Sequence, residues 1–176
     1  MRHTEVTTGQ IQRLLAIVMI AMAQARAEEY ANEPKRIVVS IPDRKLVLLE
    51  GERVVKVFDV AVGKPATPSP EGDFTIENRL TNPTWYGPNK VVGPGKTNPL
   101  GTRWMGLSAS GYGIHGTNVP QSIGKAASHG CIRMRNADVE ELFELIPAGA
   151  TVQLLDVKLP PMTAEDNPAR PVMGGE

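Results

Sequence analysis

The sequence predicts one mainly β domain, and three observations carry that expectation. Residues 36–62 and 151–157 are rich in β-branched residues, and the first of these runs is interrupted by pairs of turn residues. Glycine and proline number 17 and 15 in 176 residues, the supply that many short strands and tight turns require. Beyond residue 27 a single stretch repeats apolar residues at helical spacing: Val139, Leu142, Phe143 and Ile146. The length suits one domain with a core of ordinary size.

The N-terminus reads as a targeting segment. Arg2, His3 and Arg13 precede the uncharged run Leu14 to Ala23, and Ala23-Gln24-Ala25 and Ala25-Arg26-Ala27 supply small-x-small cleavage patterns. Ten apolar residues are too few for a permanent membrane span. A signal peptide over 1–27 is therefore expected, with an uncleaved anchor as the alternative, followed by a lead segment over 28–35. An exported location, periplasmic or elsewhere in the cell envelope, follows from it.

Within the domain, Arg36 to Ile41 reads as a first strand, and Pro42-Asp43-Arg44 as a turn. Lys45 to Glu50 is a second strand. Gly51-Glu52 has the form of a two-residue hairpin loop, leading to a third strand from Arg53 to Val62 with Val54, Phe58, Val60 and Val62 on its apolar face. Pro65, Pro68 and Pro70 make residues 63–72 a stiff loop, and Asp73 to Glu77 alternates as a fourth strand. Residues 79–106 hold four prolines, five glycines and Trp85, Tyr86 and Trp104, which predicts a long ordered flap or groove wall. For Trp104, anchoring of that loop to the core is an equal alternative. The one main helix starts near Asp138, with Asp138 and Glu141 as a capping box or Asn136 as the cap, and ends at Pro147-Ala148-Gly149. Thr151 to Val157 is a closing strand, so the domain is expected over 36–157. The Pro/Gly-rich tail over 158–176 is expected to be disordered.

The chemistry concentrates in one region. Cys131 is the only cysteine, and His115 and His129 are the only histidines beyond His3. An exported chain with one cysteine has no internal partner for it, so the thiol is either inert core or kept for chemistry. From Asn78 to Ala137 there is no Asp or Glu, while seven Lys and Arg residues are present. Such a block attracts anionic substrates and favours thiolate over thiol. It has no polybasic runs or interleaved surface aromatics, which disfavours a nucleic-acid partner.

Residues His115-Gly116-Thr117-Asn118, Ser122-Ile123-Gly124 and Ser128-His129-Gly130-Cys131-Ile132-Arg133-Met134 resemble the signature of the L,D-transpeptidase catalytic domain, also called the YkuD domain. Pro70-Glu71-Gly72-Asp73-Phe74 and Asn98-Pro99-Leu100-Gly101 agree with it, and the resemblance covers roughly 36–157. It implies a mainly β fold of the β-sandwich type, with one main helix after the cysteine and a long flap loop. It further implies an exported peptidoglycan enzyme with Cys131 as nucleophile, His115 as general base and the Gly116 carbonyl orienting the imidazole. His129 and Gly130 are the expected backbone contributors at the oxyanion. Ser128, Arg133, Tyr112 and Trp85 are the substrate-binding candidates. No cofactor and no metal are implied. Stem peptides are the implied partners, with an envelope lipoprotein as a possible acceptor and carbapenems as covalent inhibitors.

Rival readings stay open at this point. Water could resolve the acyl-enzyme, giving an L,D-carboxypeptidase or a crosslink-cleaving amidase. His115, His129 and Cys131 could instead ligate zinc, or the domain could be a noncatalytic wall-binding module.

Overall fold

The computed structural model describes residues 8–31 and 33–160. The first residues of the targeting segment and the tail from residue 161 lie outside the described residues. Helix α1 (Thr8–Ala31) contains the apolar run and continues past the expected boundary at residue 27. Leu14, Leu15, Ile17, Met19 and Ile20 on it are exposed. No described helix is long and apolar enough to cross a membrane.

Strands β1 (Lys35–Ser40), β2 (Lys45–Glu50) and β3 (Arg53–Asp59) form the expected meander. Glu50 pairs with Arg53, so Gly51 and Glu52 alone make the turn, and Gly51 takes φ 56°. That conformation is open to glycine without steric cost. Alternation sends Ile37, Val39, Leu46 and Leu48 into the main core. Val38, Val47, Leu49 and Val54 form a second apolar cluster on the opposite face, with Val57, Leu155 and Leu159 packed against it.

The third strand is shorter than its sequence suggests. It stops at Asp59 because the next residues change partner. Ala61 exchanges two backbone hydrogen bonds with Arg133, at 2.8 and 2.9 Å, and β4 (Val62–Gly63) pairs in parallel with β10 (Ala126–Ser128). Between them come β5 (Gly72–Thr81), β6 (Trp85–Tyr86), β7 (Val91–Val92), β8 (Arg103–Leu107) and β9 (Gly113–His115). After β10 follow β11 (Ile132–Arg133), α2 (Asn136–Leu145) and β12 (Thr151–Leu155).

The main sheet runs β11-β9-β8-β5-β12-β1-β2-β3. Its last strand leads directly into Ala61, which bridges Arg133 on the first strand. The sheet therefore curls until its two ends meet around the core. Val139, Leu142 and Ile146 of the helical segment are fully buried in that core, which accounts for their spacing in the sequence.

Three sequence expectations need correction. The segment 79–106 is not one loop: β5 extends to Thr81 and β8 begins at Arg103. Gly106 lies within β8, where a Cβ would come within 2.6 Å of the Asn78 side chain. Neither Asp138 nor Asn136 caps α2; the N-cap position is Arg135, with no side-chain cap bond. The closing strand ends at Leu155 rather than Val157, whose carbonyl instead accepts from Ser40 Oγ at 2.8 Å.

Candidate active site

The site is built on the parallel pairing of β9 with β11. Ile114 faces Ile132 and His115 faces Arg133. Both isoleucines are fully buried in the core. Strand alternation then directs His115 and Arg133 toward the opposite face, and Cys131 immediately precedes β11. Trp104 pairs with His115 across β8 and β9, and their rings stack with centroids 5.7 Å apart. Trp104 Nε1 donates to Asn78 Oδ1 at 3.0 Å, which fixes the indole over the imidazole.

His115 is 4% exposed, and its Nδ1 lies 2.6 Å from the Gly116 carbonyl. In a neutral ring this contact requires the proton on Nδ1, leaving Nε2 as an acceptor. Burial lowers the His115 pKa to about 4; the Gly116 carbonyl opposes that shift and the Arg133 charge reinforces it. The imidazole is thus neutral at physiological pH and able to take a proton.

The Gly116 carbonyl is held by close packing. A Cβ at Gly116 would lie 2.2 Å from Asn136 Oδ1, and one at Gly101 would lie 2.1 Å from the same atom. Asn136 Oδ1 also accepts the Thr117 N–H at 3.1 Å. Asn136 therefore uses its side chain to fix the backbone beside His115 instead of capping its own helix.

The loop before Cys131 is braced from within. Ser128 is fully buried, donates from Oγ to the Cys131 carbonyl at 2.6 Å and accepts the Gly130 N–H at 3.0 Å. Ser128, a substrate-binding candidate from sequence, thus has its hydroxyl committed to bracing this loop. The Gly130 N–H is committed to Ser128, which leaves those of His129 and Cys131 as the loop's free backbone donors among the described residues. The Ser128 carbonyl accepts from Lys64 N at 3.1 Å and Thr67 Oγ1 at 3.3 Å, so the proline-rich loop supports this turn.

Gly130 takes φ 112°, and a Cβ there would lie 2.5 Å from Tyr112 Cε1 and 3.1 Å from the Pro68 carbonyl. Gly130→Ala is accordingly expected to lower stability by about 1–3 kcal/mol through backbone strain alone. A denaturant midpoint would measure this, and rapid loss of thiol reactivity should accompany it.

Cys131 is half-buried, with Sγ 3.7 Å from the Gly111 carbonyl. Burial pushes its thiol pKa up, outweighing the Gly113 N–H and Arg133, which both pull it down. The basic block therefore does not produce a resting thiolate, contrary to the expectation from charge alone. Arg133 influences both Cys131 and His115 and has no carboxylate partner among the described residues.

Of the remaining candidates, Tyr112 packs against Gly130 at the site. His129 is exposed, with Nε2 3.4 Å from Lys64 Nζ. Trp85 is not drawn into this cluster. Its ring covers Gly87 in its own hairpin, where a Cβ would lie 2.2 Å from the indole. Among the described residues, no three His, Cys, Asp or Glu side chains converge closely enough to share a metal ion.

Sequence reasoning did not find what Asn98 does. It is fully buried, donates from Nδ2 to the carbonyls of Pro83, Val92 and Gly93, and accepts the Leu100 N–H at 2.8 Å. The β6–β7 flap is tied to the 98–102 loop by this one side chain. Asn118 Nδ2 adds a bond to the Thr97 carbonyl at 3.0 Å, linking the flap to the chain just after His115. Asn98→Ala is expected to cost roughly 1–3 kcal/mol by leaving buried carbonyls unpaired. Amide exchange should accelerate over 83–100 first.

Comparison with known proteins agrees with this geometry. The profile of the YkuD L,D-transpeptidase catalytic domain matches residues 34–154. The YkuD protein of Bacillus licheniformis is 47% identical over 121 residues, covering 69% of this chain and 66% of that protein. A crystal structure of an Enterococcus faecium L,D-transpeptidase mutant superposes with a TM-score of 0.60 at 26% identity, over 70% of this chain and 50% of that one. The structure of LD transpeptidase LdtMt1 in complex with imipenem shares the fold, with a TM-score of 0.60 at 18% identity, over 70% of this chain and 59% of that one. The chain thus spans just under two thirds of the Bacillus relative and half to three fifths of the two solved structures.

Proposed function

The chain belongs to the YkuD L,D-transpeptidase catalytic domain family, and from that premise we propose that it is a peptidoglycan L,D-transpeptidase working in the cell envelope. Cys131 attacks the carbonyl joining diaminopimelate to D-Ala in a stem tetrapeptide. The observation that carries this reading is the buried neutral His115, its Nδ1–H bonded to Gly116, on the strand that pairs with the one Cys131 immediately precedes.

Because the thiol pKa is raised and the imidazole pKa lowered, the resting pair is neutral. Sulfur attack must then be coupled to transfer of the thiol proton to His115 Nε2. The oxyanion forms beside the backbone N–H groups of His129 and Cys131, fixed by the Ser128 brace. As the C–N bond breaks, the imidazolium gives its proton to the departing D-Ala amine, leaving a thioester. An acceptor amine, from a second stem or an envelope lipoprotein, attacks that thioester and loses its proton to His115, and Cys131 leaves as the thiol. Arg133, with no carboxylate partner among the described residues, holds a substrate carboxylate in this reading.

A carbapenem enters by the same thiol attack, its lactam C–N bond breaking while the amine stays in the opened ring, so nothing leaves. Imipenem is therefore expected to add its mass to Cys131, as intact-protein mass spectrometry would register. An unmodified mass after prolonged exposure contradicts the assigned nucleophile. The water-acceptor alternative uses the same residues and differs only in its product, a tripeptide in place of a crosslink.

A further inference from the structure

The side chains of Lys64 and His129 have no role in the steps above, yet they meet on the rim of the nucleophile loop. Lys64 Nζ lies 3.4 Å from His129 Nε2. An ammonium has only donors, so His129 Nε2 accepts and its Nδ1 carries the ring proton. The pair together then presents two further N–H groups from Lys64 and one from His129.

The placement of Lys64 is fixed by the backbone. Its N–H donates to the Ser128 carbonyl, and its own carbonyl accepts from Thr67 N at 2.8 Å. The preceding Gly63 cannot carry a side chain, because a Cβ would lie 2.4 Å from Ser69 N and the Thr67 carbonyl. Ala61 bridges Arg133 and Gly63 pairs with Ser128, so residues 61–64 run along the nucleophile loop. Three residues of extended chain carry Lys64 roughly 10 Å beyond Ala61, the bridge partner of Arg133. Cys131 lies in the loop between their partners.

Several cations of the domain are paired with carboxylates. Lys35, Arg36, Lys45, Arg53, Lys56 and Arg135 each have a carboxylate oxygen within 4 Å. Lys64 and Arg133 have no carboxylate partner among the described residues, and both border the cysteine loop. We propose that Lys64 and His129 form a carboxylate-binding site on the flank of Cys131 away from Arg133, which reads an anionic group of the peptide substrate. The proposal rests on the transpeptidase reading for the identity of the ligand, but not for the existence of the site. Its carboxylate comes from either the donor stem or the acceptor.

Alkylation of Cys131 by iodoacetate and by iodoacetamide tests the site without any peptide. Any effect of Lys64 on the thiolate fraction changes both rates alike, so their ratio isolates attraction for the carboxylate. Lys64→Met is expected to lower the iodoacetate-to-iodoacetamide ratio about fivefold, the scale of a partly exposed ion pair. Lys64→Arg should restore it. Lys158→Met, which removes the same charge beside Asp43, should leave it unchanged. A ratio unaltered by Lys64→Met overturns the site, as does an equal fall in Lys158→Met.

Single-turnover acylation then identifies the source. A Lys64→Met defect seen with a free-acid tetrapeptide but not with its C-terminal carboxamide assigns the carboxylate to the donor. A defect confined to resolution by a D-amino acid, and absent with its amide, assigns it to the acceptor. Should the wild type form no acyl-enzyme with any peptide, the transpeptidase reading fails, while the alkylation ratio still decides whether the anion site exists.

Discussion

Cys131→Ala is expected to eliminate acyl-enzyme formation outright, with a rate loss of at least about 10⁴-fold. No other thiol is present in the chain to substitute for it. The variant should still fold, because the Sγ makes a single long contact, 3.7 Å from Gly111, and alanine retains the Cβ. Peptide binding should persist, since Arg133 and the flap are untouched. Intact mass after incubation with tetrapeptide or imipenem, together with a binding isotherm, checks both halves. Full cellular function of this variant without acyl-enzyme formation would restore the noncatalytic wall-binding alternative.

His115→Gln is expected to reduce kcat by about 10²–10⁴-fold, the usual worth of a positioned general base. The raised thiol pKa makes this dependence strong, because no standing thiolate population bypasses the base. In the wild type, the acid limb of kcat/KM should fall near pH 4, where His115 becomes protonated, instead of near the ordinary histidine value. The same shift enters stability. The folded state excludes a proton that the unfolded chain binds below its own histidine pKa near 6.5, so stability decreases as pH falls from about 6.5 to 4. The full effect is about 3 kcal/mol at one pKa unit per 1.36 kcal/mol. Urea unfolding at pH 7 and pH 4 should show it, and His115→Gln should remove this part of the slope.

Local pattern made the meander legible. Alternation of Val54, Phe58 and Val60, the Gly51-Glu52 turn and the spacing of Val139, Leu142 and Ile146 each express burial on one face, which sequence records directly. Strands β9 and β11 were not legible, because three and two residues carry no usable alternation. Yet their register is what sets His115 opposite Arg133, just after Cys131. Trp104 could be anticipated as a loop aromatic, but its stacking on His115 depends on the β8–β9 pairing. Asn98 and Asn136 look like turn and cap residues and instead hold distant backbone, a role set entirely by tertiary contact.

Electrostatics shows the same division. Counting charges between Asn78 and Ala137 identifies an acid-free region correctly, but charge count contains no information about burial. At Cys131 burial outweighs Arg133, so the sign of the thiol shift reverses. The motif residues could be named from sequence, whereas the packing around Gly116 and Gly130 required the folded chain.

The most direct measurement is mass-spectrometric analysis of products after incubating the purified protein with disaccharide tetrapeptide. The account predicts a crosslinked dimer and one released D-Ala per bond formed, with both absent in Cys131→Ala. Tripeptide without any dimer would contradict the transferase assignment in favour of hydrolysis, and unchanged tetrapeptide would contradict the enzymatic reading altogether.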